Sequence, residues 1–172
     1  MPFPVSGLLY SNKTTEHDNG YIRSLFALGR LRPGRAWRFD AAACLHFAAA
    51  HGVAQSYTAI PEVHANYLHG EMVAMGTLAQ LVMESRPDEA ERVAQFFARV
   101  GLPVHLGQLS LGEGDAAALD TVSEAAMTFP FISNMPMAVT PERVRSSILE
   151  AHRLGLDVAA KTGDEAYRRL HQ

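Results

Sequence analysis

The sequence has 172 residues, of which 48% are hydrophobic and 19% charged, and its formal net charge is -3. Its single cysteine, Cys44, excludes a disulfide framework or a Cys-rich zinc site. The net charge does not favour binding to nucleic acid or to anionic membranes. No stretch approaches the roughly 20 apolar residues of a membrane span, and no basic, apolar leader begins the chain, so a cytoplasmic protein is predicted.

Residues 1–39 differ in character from the rest of the chain. They hold three prolines and four glycines without a sustained hydrophobic period. This composition predicts an irregular N-terminal extension of unknown role, with loops and one short helix near residues 21–28. Five arginines lie between Arg23 and Arg38 with no acid among them. A solvated leader is favoured for this run over an anion-binding or transit-type arm.

From Asp40 the pattern becomes helical, which predicts a second region over residues 40–172. Asp40 is the expected N-cap of a first helix, rich in alanine, that reaches Gln55. A second helix is predicted from His64 to Ser85, where apolar residues recur at steps of three or four. Gly70 and Gly76 lie inside it, and a glycine within a helix often indicates that a neighbour packs close.

Four shorter or later helices follow. The first begins after Ser85 as its N-cap and ends at Gly101, and the second runs over Asp115–Phe129. The third begins after Thr140 as its N-cap, with Pro141 in its first turn, and the fourth runs over Asp164–Leu170. Residues 101–114 and 129–139 are predicted as loops. The chain therefore shows five or six helices and no strand, and the predicted fold class is all-α.

Two histidines stand in small-residue helical surroundings. His51 follows three alanines and His69 precedes a glycine, and Ile60–Pro61 indicates a turn between them. Two helices joined by that turn would bring both imidazoles to one point, and imidazole is a ligand that suits Zn²⁺ or Fe²⁺. On the pattern alone, two unrelated side chains are the commoner outcome, and His46, His64 and His105 are weaker candidates still.

Glu71 follows His69 by two residues, so on a helix it points in another direction and is not expected to bind the same ion. A second-shell role or an ion pair is one interpretation of this carboxylate, and simple solvation is the other. The HGE triplet also differs from the HExxH spacing, which places two histidines on one helical face.

Five blocks of sequence carry a resemblance to a known family. The chain resembles the glycerol dehydrogenases, which are group III metal-dependent members of the iron-containing alcohol dehydrogenase family. The blocks stand in the family's order: AAAH at 48–51, TAIPEVH at 58–64, LHGEMVAMGTLAQLVME at 68–84, VGLPVHLGQL at 100–109 and SNMPMAVTPERVRSSILEA at 133–151.

The resemblance implies the C-terminal helical domain, which binds metal and substrate. Full-length members join it to a Rossmann-like NAD-binding domain and oxidise glycerol to dihydroxyacetone. Their metal is usually zinc, with iron as the alternative, and it is held by one aspartate and two histidines. The likeness assigns the two histidine ligands to His51 and His69, a small polyol such as glycerol as substrate, and NAD only with a partner domain.

The sequence departs from the family in several places. No glycine-rich phosphate cradle and no alternation of strands and helices is present, so no Rossmann domain is predicted. The helix with the aspartate ligand has no counterpart. Ala54 and Gln55–Ser56 replace a histidine and an Asn-Gly pair that usually follow the first ligand.

These departures leave the metal site short of a ligand. Two imidazoles are one fewer than the three protein ligands of a typical catalytic zinc, and Asp40, His46 and His64 are the candidates for the third. Without an NAD domain, apolar surface would also be uncovered, which favours self-association into a homo-oligomer or an NAD-domain partner. Residues 23–47 are a candidate cover for part of that surface.

Three functional hypotheses remain open from the sequence. The first is a remnant of a dehydrogenase that folds and is inactive alone. The second is one chain of a split dehydrogenase. The third is a non-catalytic helical interaction module in which both histidines are ordinary side chains.

Overall fold

The computed structural model describes residues 48–171. The predictions for residues 1–47 lie outside the described residues. These include the irregular extension 1–39, the Asp40 cap, the candidate cover 23–47 and the proposed role of His46. The division of the chain at residue 39 therefore stays a prediction.

Seven α-helices lie within residues 48–171, and no strand occurs in this part of the chain. The predicted all-α fold class is confirmed. The helices are α1 (Ala48–Ser56), α2 (Pro61–Asn66), α3 (His69–Met83), α4 (Pro87–Val100), α5 (Ala116–Ala126), α6 (Pro141–Thr162) and α7 (Glu165–Leu170). Single 3₁₀ turns lie at Tyr57–Ala59, Leu106–Leu109 and Pro130–Asn134.

Helix α3 is the centre of the bundle. It packs against α1, α4 and α6, and almost every residue from Glu71 to Met83 is buried. A helix that is apolar around its whole circumference can only be accommodated inside other elements. The sequence of α3 therefore fixes its central position.

Helix α6 closes the other side of the core. Its buried residues recur at steps of three and four, and they face α3, α4 and α5. The predicted cap is confirmed, because the Thr140 hydroxyl accepts a hydrogen bond from the Arg143 N–H at 3.3 Å. Pro141 occupies the first turn, where its missing N–H costs nothing.

The predicted helix from His64 to Ser85 is wrong at its start. Tyr67 and Leu68 are extended, with ψ of 144° and 151°, and they separate α2 from α3. Leu68, one of the recurring apolar residues of that pattern, is 74% exposed. Three- and four-residue spacing continued across the break, so periodicity alone did not reveal it.

Two other helix boundaries differ from their predicted positions because of proline. Ser85 does not cap α4, because its φ is 57°, and Arg86 is the N-cap instead. Helix α5 ends at Ala126 and not at Phe129, which is extended before Pro130. Proline disfavours the helical conformation at the preceding residue, and this accounts for both Arg86 and Phe129.

Helices α1 and α3 approach until their backbones touch. A Cβ placed on Gly76 would lie less than 3.0 Å from the carbonyl oxygen of Ala50. The inference that a neighbour packs close is thus confirmed at Gly76, where the neighbour is α1, and is wrong at Gly70, where an added Cβ would have no neighbour within 4 Å. On α1, Ala49, Ala50, Val53 and Ala54 are buried, so small side chains line the approach.

His152 ties α6 to the 3₁₀ turn at Leu106–Leu109. The buried Leu106 N–H donates to His152 Nδ1 at 3.1 Å, so this nitrogen is an acceptor and the ring is neutral. Burial lowers the pKa of His152 below its ordinary value, and Arg153 acts in the same direction, while Glu113 opposes them.

No helix in residues 48–171 combines the length and apolar character that crossing a bilayer requires.

Replacing Gly76 with alanine should lower the free energy of unfolding by about 1–3 kcal/mol, because the new methyl group overpacks the contact with Ala50. Gly70 lies on the same helix, and a Cβ added there would have no neighbour within 4 Å. Gly70→Ala should therefore leave stability unchanged or raise it by roughly 0.5–1 kcal/mol. Urea titration of both variants measures the contrast, and equal effects would contradict the close approach.

Acid should weaken the fold through His152. Its folded-state pKa is lowered, so its contribution to stability is complete above the unfolded value of about 6.5 and is lost as pH falls toward the lowered pKa. His152→Asn keeps an acceptor near Leu106 without a titrating group. It should flatten the pH dependence of the urea midpoint below neutral pH, whereas the exposed His64→Asn should not.

Candidate metal centre

His51 is held in place by the contacts of α1 with its neighbours. The Ala50 N–H, one residue earlier, donates to Gln80 Oε1 of α3 at 2.8 Å in a buried hydrogen bond. On the following residue, a Cβ at Gly52 would lie 3.0 Å from Ile132 Cγ1. Both neighbours of His51 are therefore fixed, one by a buried amide and the other by a side chain from the 3₁₀ turn Pro130–Asn134.

His69 is the first residue of α3. The chain leaves α1 through Tyr57–Ala59 and α2, and the extended pair Tyr67–Leu68 then delivers it to the start of α3. This path brings the two imidazoles together: their ring centroids lie 5.2 Å apart, with an interplanar angle of 68°. The family resemblance implied that these two histidines meet, and their rings do lie side by side.

The spacing of the two rings fits a shared ion. Two imidazole nitrogens at about 2.1 Å from a tetrahedral zinc would place the ring centroids roughly 5 Å apart. The 5.2 Å separation agrees with that value, although an edge-to-face histidine pair has the same spacing without an ion. Ligation by His51 and His69 therefore remains a prediction that this geometry permits.

A third ligand does not join them from the described part of the chain. Within residues 48–171, no group of three or more His, Cys, Asp or Glu side chains is arranged to hold a metal. His64 lies exposed on α2 and is not part of such a group. Asp40 and His46, the other two candidates, lie outside the described residues.

Glu71 is buried, so the interpretation of simple solvation is wrong. It is 6% exposed, and its Oε2 accepts the Leu68 N–H at 2.7 Å, which secures the first turn of α3. Its Oε1 lies 2.6 Å from His171 Nε2. Glu71 thus forms an ion pair with the C-terminal segment, and the second-shell role proposed for it remains a prediction.

His171 faces two acceptors. Its Nε2 meets the Glu71 carboxylate and its Nδ1 lies 2.8 Å from the Tyr167 carbonyl oxygen, so both nitrogens must donate and the ring is an imidazolium. Burial alone would lower the pKa of His171, but the bond to the Tyr167 carbonyl and the Glu71 carboxylate raise it above its ordinary value. The ring also stacks on Tyr167 at 4.0 Å.

His105, a weaker candidate, lies away from the pair. Its ring faces His152, with centroids 6.1 Å apart, on the side of the core formed by α6. Burial lowers the pKa of His105, and nearby His152 adds to the effect against the opposing charge of Asp164.

A cleft of about 420 Å³ lies in the connection between α5 and α6. Its lining residues run from Met127 to Val139, and neither His51 nor His69 is among them. Ile132 lines this cleft and also packs against Gly52, the residue after His51.

Sequence reasoning missed three residues that shape the site. Gln80 anchors Ala50, the Phe131 ring packs edge-on to His51 at 5.9 Å between centroids, and His171 binds Glu71. A glutamine inside an otherwise apolar helix was a usable signal, because a buried amide requires partners. Phe131 and His171 lie far along the chain and left no local signal.

Known proteins support the family resemblance. No protein-family profile matches the chain. Over 110 residues, it is 46% identical to a glycerol dehydrogenase of Escherichia coli O6:H1 and 39% identical to a glycolaldehyde reductase of Halobacterium salinarum. Each match covers 63% of this chain and 30% of the relative.

A solved structure agrees with these matches. The glycerol dehydrogenase of Schizosaccharomyces pombe superposes with a TM-score of 0.62 at 30% identity, over 67% of this chain and 30% of that one. In both fold and sequence, the chain is thus similar to part of the glycerol dehydrogenases. The chain spans about 30% of the length of these relatives.

Removing the Gln80 amide should loosen α1 from α3. Gln80→Met keeps the volume but leaves the buried Ala50 N–H without its acceptor, at a cost of about 1–3 kcal/mol in unfolding free energy. Gln95 is a matched control, because it lies half-buried on α4 and donates to Glu91 of its own helix. Gln95→Met should change stability by roughly 0.5 kcal/mol or less in the same urea titration.

Proposed function

We propose that these 172 residues carry the metal- and substrate-binding half of an NAD-dependent polyol dehydrogenase and are inactive alone. The observation that carries the proposal is the juxtaposition of His51 and His69 at 5.2 Å, on two segments within the family resemblance. Glycerol is the first substrate to test, since the relatives include glycerol dehydrogenases. The cytoplasm is the expected location.

Zinc, or iron in its place, would be held by His51 and His69. The third protein ligand would come from outside residues 48–171 or from another chain, because the described residues supply none. A bound metal supplies Lewis-acid polarisation of a substrate hydroxyl. The chain's own contribution is to orient the two imidazoles and to leave space beside Gly70 for a small ligand.

Nicotinamide chemistry would need a second component. A dehydrogenase transfers hydride to NAD, so a polypeptide that binds this cofactor must meet the histidine pair. Leu68 is 74% exposed and Phe131 is 37% exposed, and both lie next to the pair. Apolar side chains at such a position suit a face that another domain or chain covers, which supports a split dehydrogenase.

The alternative is a non-catalytic helical interaction module. In this interpretation, the edge-to-face contact of His51 with His69 and Phe131 is packing only. The same exposed Leu68 and Phe131 would then form part of a docking surface. The two interpretations differ in whether the histidines bind metal.

Metal content separates them. The purified chain should hold close to one zinc or iron per chain by mass spectrometry, and His51→Ala or His69→Ala should weaken zinc binding at least tenfold in calorimetry, because each change removes one ligand. His64→Ala, on the exposed face of α2, should bind as the wild type does. Absence of an ion, or binding that all three variants share, would favour the interaction module.

Activity tests the second half of the proposal. The chain alone should show no NAD reduction with glycerol, and adding a protein that carries the NAD domain should restore it. Turnover by the pure chain would overturn the claim that it is inactive alone.

A further inference from the structure

The first turn of α3 lies outside the core that buries the rest of the helix. Leu68, His69 and Gly70 are all exposed, and a Cβ at Gly70 would have no neighbour within 4 Å. Apolar packing therefore does not hold this turn. A polar contact helps to hold it: the Leu68 N–H donates to Glu71 Oε2 at 2.7 Å, beside the helical hydrogen bond from the Met72 N–H to the Leu68 carbonyl oxygen.

Glu71 is in turn fixed by a residue 100 positions later. Its other oxygen, Oε1, lies 2.6 Å from His171 Nε2, and the side chains are 8% and 28% exposed. A buried carboxylate that accepts a backbone N–H and an imidazolium has little freedom to turn. The two oxygens thus link the start of α3 to the end of the described chain.

His171 is itself anchored to the core. Its ring stacks on Tyr167 with centroids 4.0 Å apart, and its Nδ1 meets the Tyr167 carbonyl oxygen. The Tyr167 hydroxyl donates to the carbonyl oxygen of Gln108. The Gln108 side chain accepts the Val104 N–H at 2.7 Å and donates to Asp164 at 3.1 Å.

This linkage bears on the candidate ligand. Because His69 is the first residue of α3 and lies between Leu68 and Glu71, any movement of the turn moves its imidazole relative to His51. We propose that His171 is a positioning residue for His69: through Glu71 it fixes the first turn of α3 and the separation of the two imidazoles. The value of this role for metal binding rests on the function proposed above.

Two substitutions separate the hydrogen bond from the stacking. His171→Phe keeps a ring on Tyr167 and loses both nitrogens, whereas His171→Arg restores a cation that can donate to Glu71. In the phenylalanine variant, amide exchange at Leu68 should rise at least fivefold, while exchange at Leu78 in the core stays unchanged. The cross-peak between the His51 and His69 ring protons should weaken. The arginine variant should recover both signals.

Zinc titration gives a second readout. His171→Phe should raise the zinc dissociation constant about tenfold with little change in the urea midpoint, because a loosened first turn must be ordered again when His69 binds the ion. A wild type that binds no zinc would remove the proposed function, and the exchange and ring-proton signals would still decide the positioning role. Unchanged Leu68 exchange and an unchanged ring cross-peak in His171→Phe would overturn it.

Discussion

The contact between α1 and α3 is the constraint on which the rest of the described structure depends. Gly76 meets the backbone of Ala50 directly, and Gln80, one turn later on α3, accepts the N–H of the same residue. A close approach of two helices excludes water, so the buried Ala50 N–H at this contact must have a partner within the protein. Packing and hydrogen bonding therefore specify one relative placement of the two helices.

The geometry of the histidine pair follows from that placement. His69 precedes Gly76 by seven residues, which is about two helical turns, so both lie on the same face of α3. His51 follows Ala50 directly. Both histidines thus lie close to the residues that form the contact between α1 and α3. Their 5.2 Å separation therefore depends on how these two helices pack.

Periodicity, capping and the family resemblance were enough to predict the fold class, the cap at Thr140, the glycine contact at Gly76 and the meeting of His51 with His69. They were not enough to predict the break at Tyr67–Leu68, because apolar spacing continued through it. They also left Glu71 open between an ion pair and simple solvation. A carboxylate on a helix is usually solvated, and the partner that buries this one lies 100 residues away. Interactions of that range are set by tertiary packing, which local patterns do not encode.

The contact between α1 and α3 also determines which positions would change the geometry of the candidate site. Ala50 and Gly76 set the distance between the two helices. A change of side-chain volume at either position would therefore change the distance between the two imidazoles, although both histidines are kept. Adapting this scaffold to an ion of different radius would therefore begin at two small, chemically silent residues. The size of these two residues sets the distance between the two imidazoles, just as the linker of a chelating ligand sets the distance between its donor atoms.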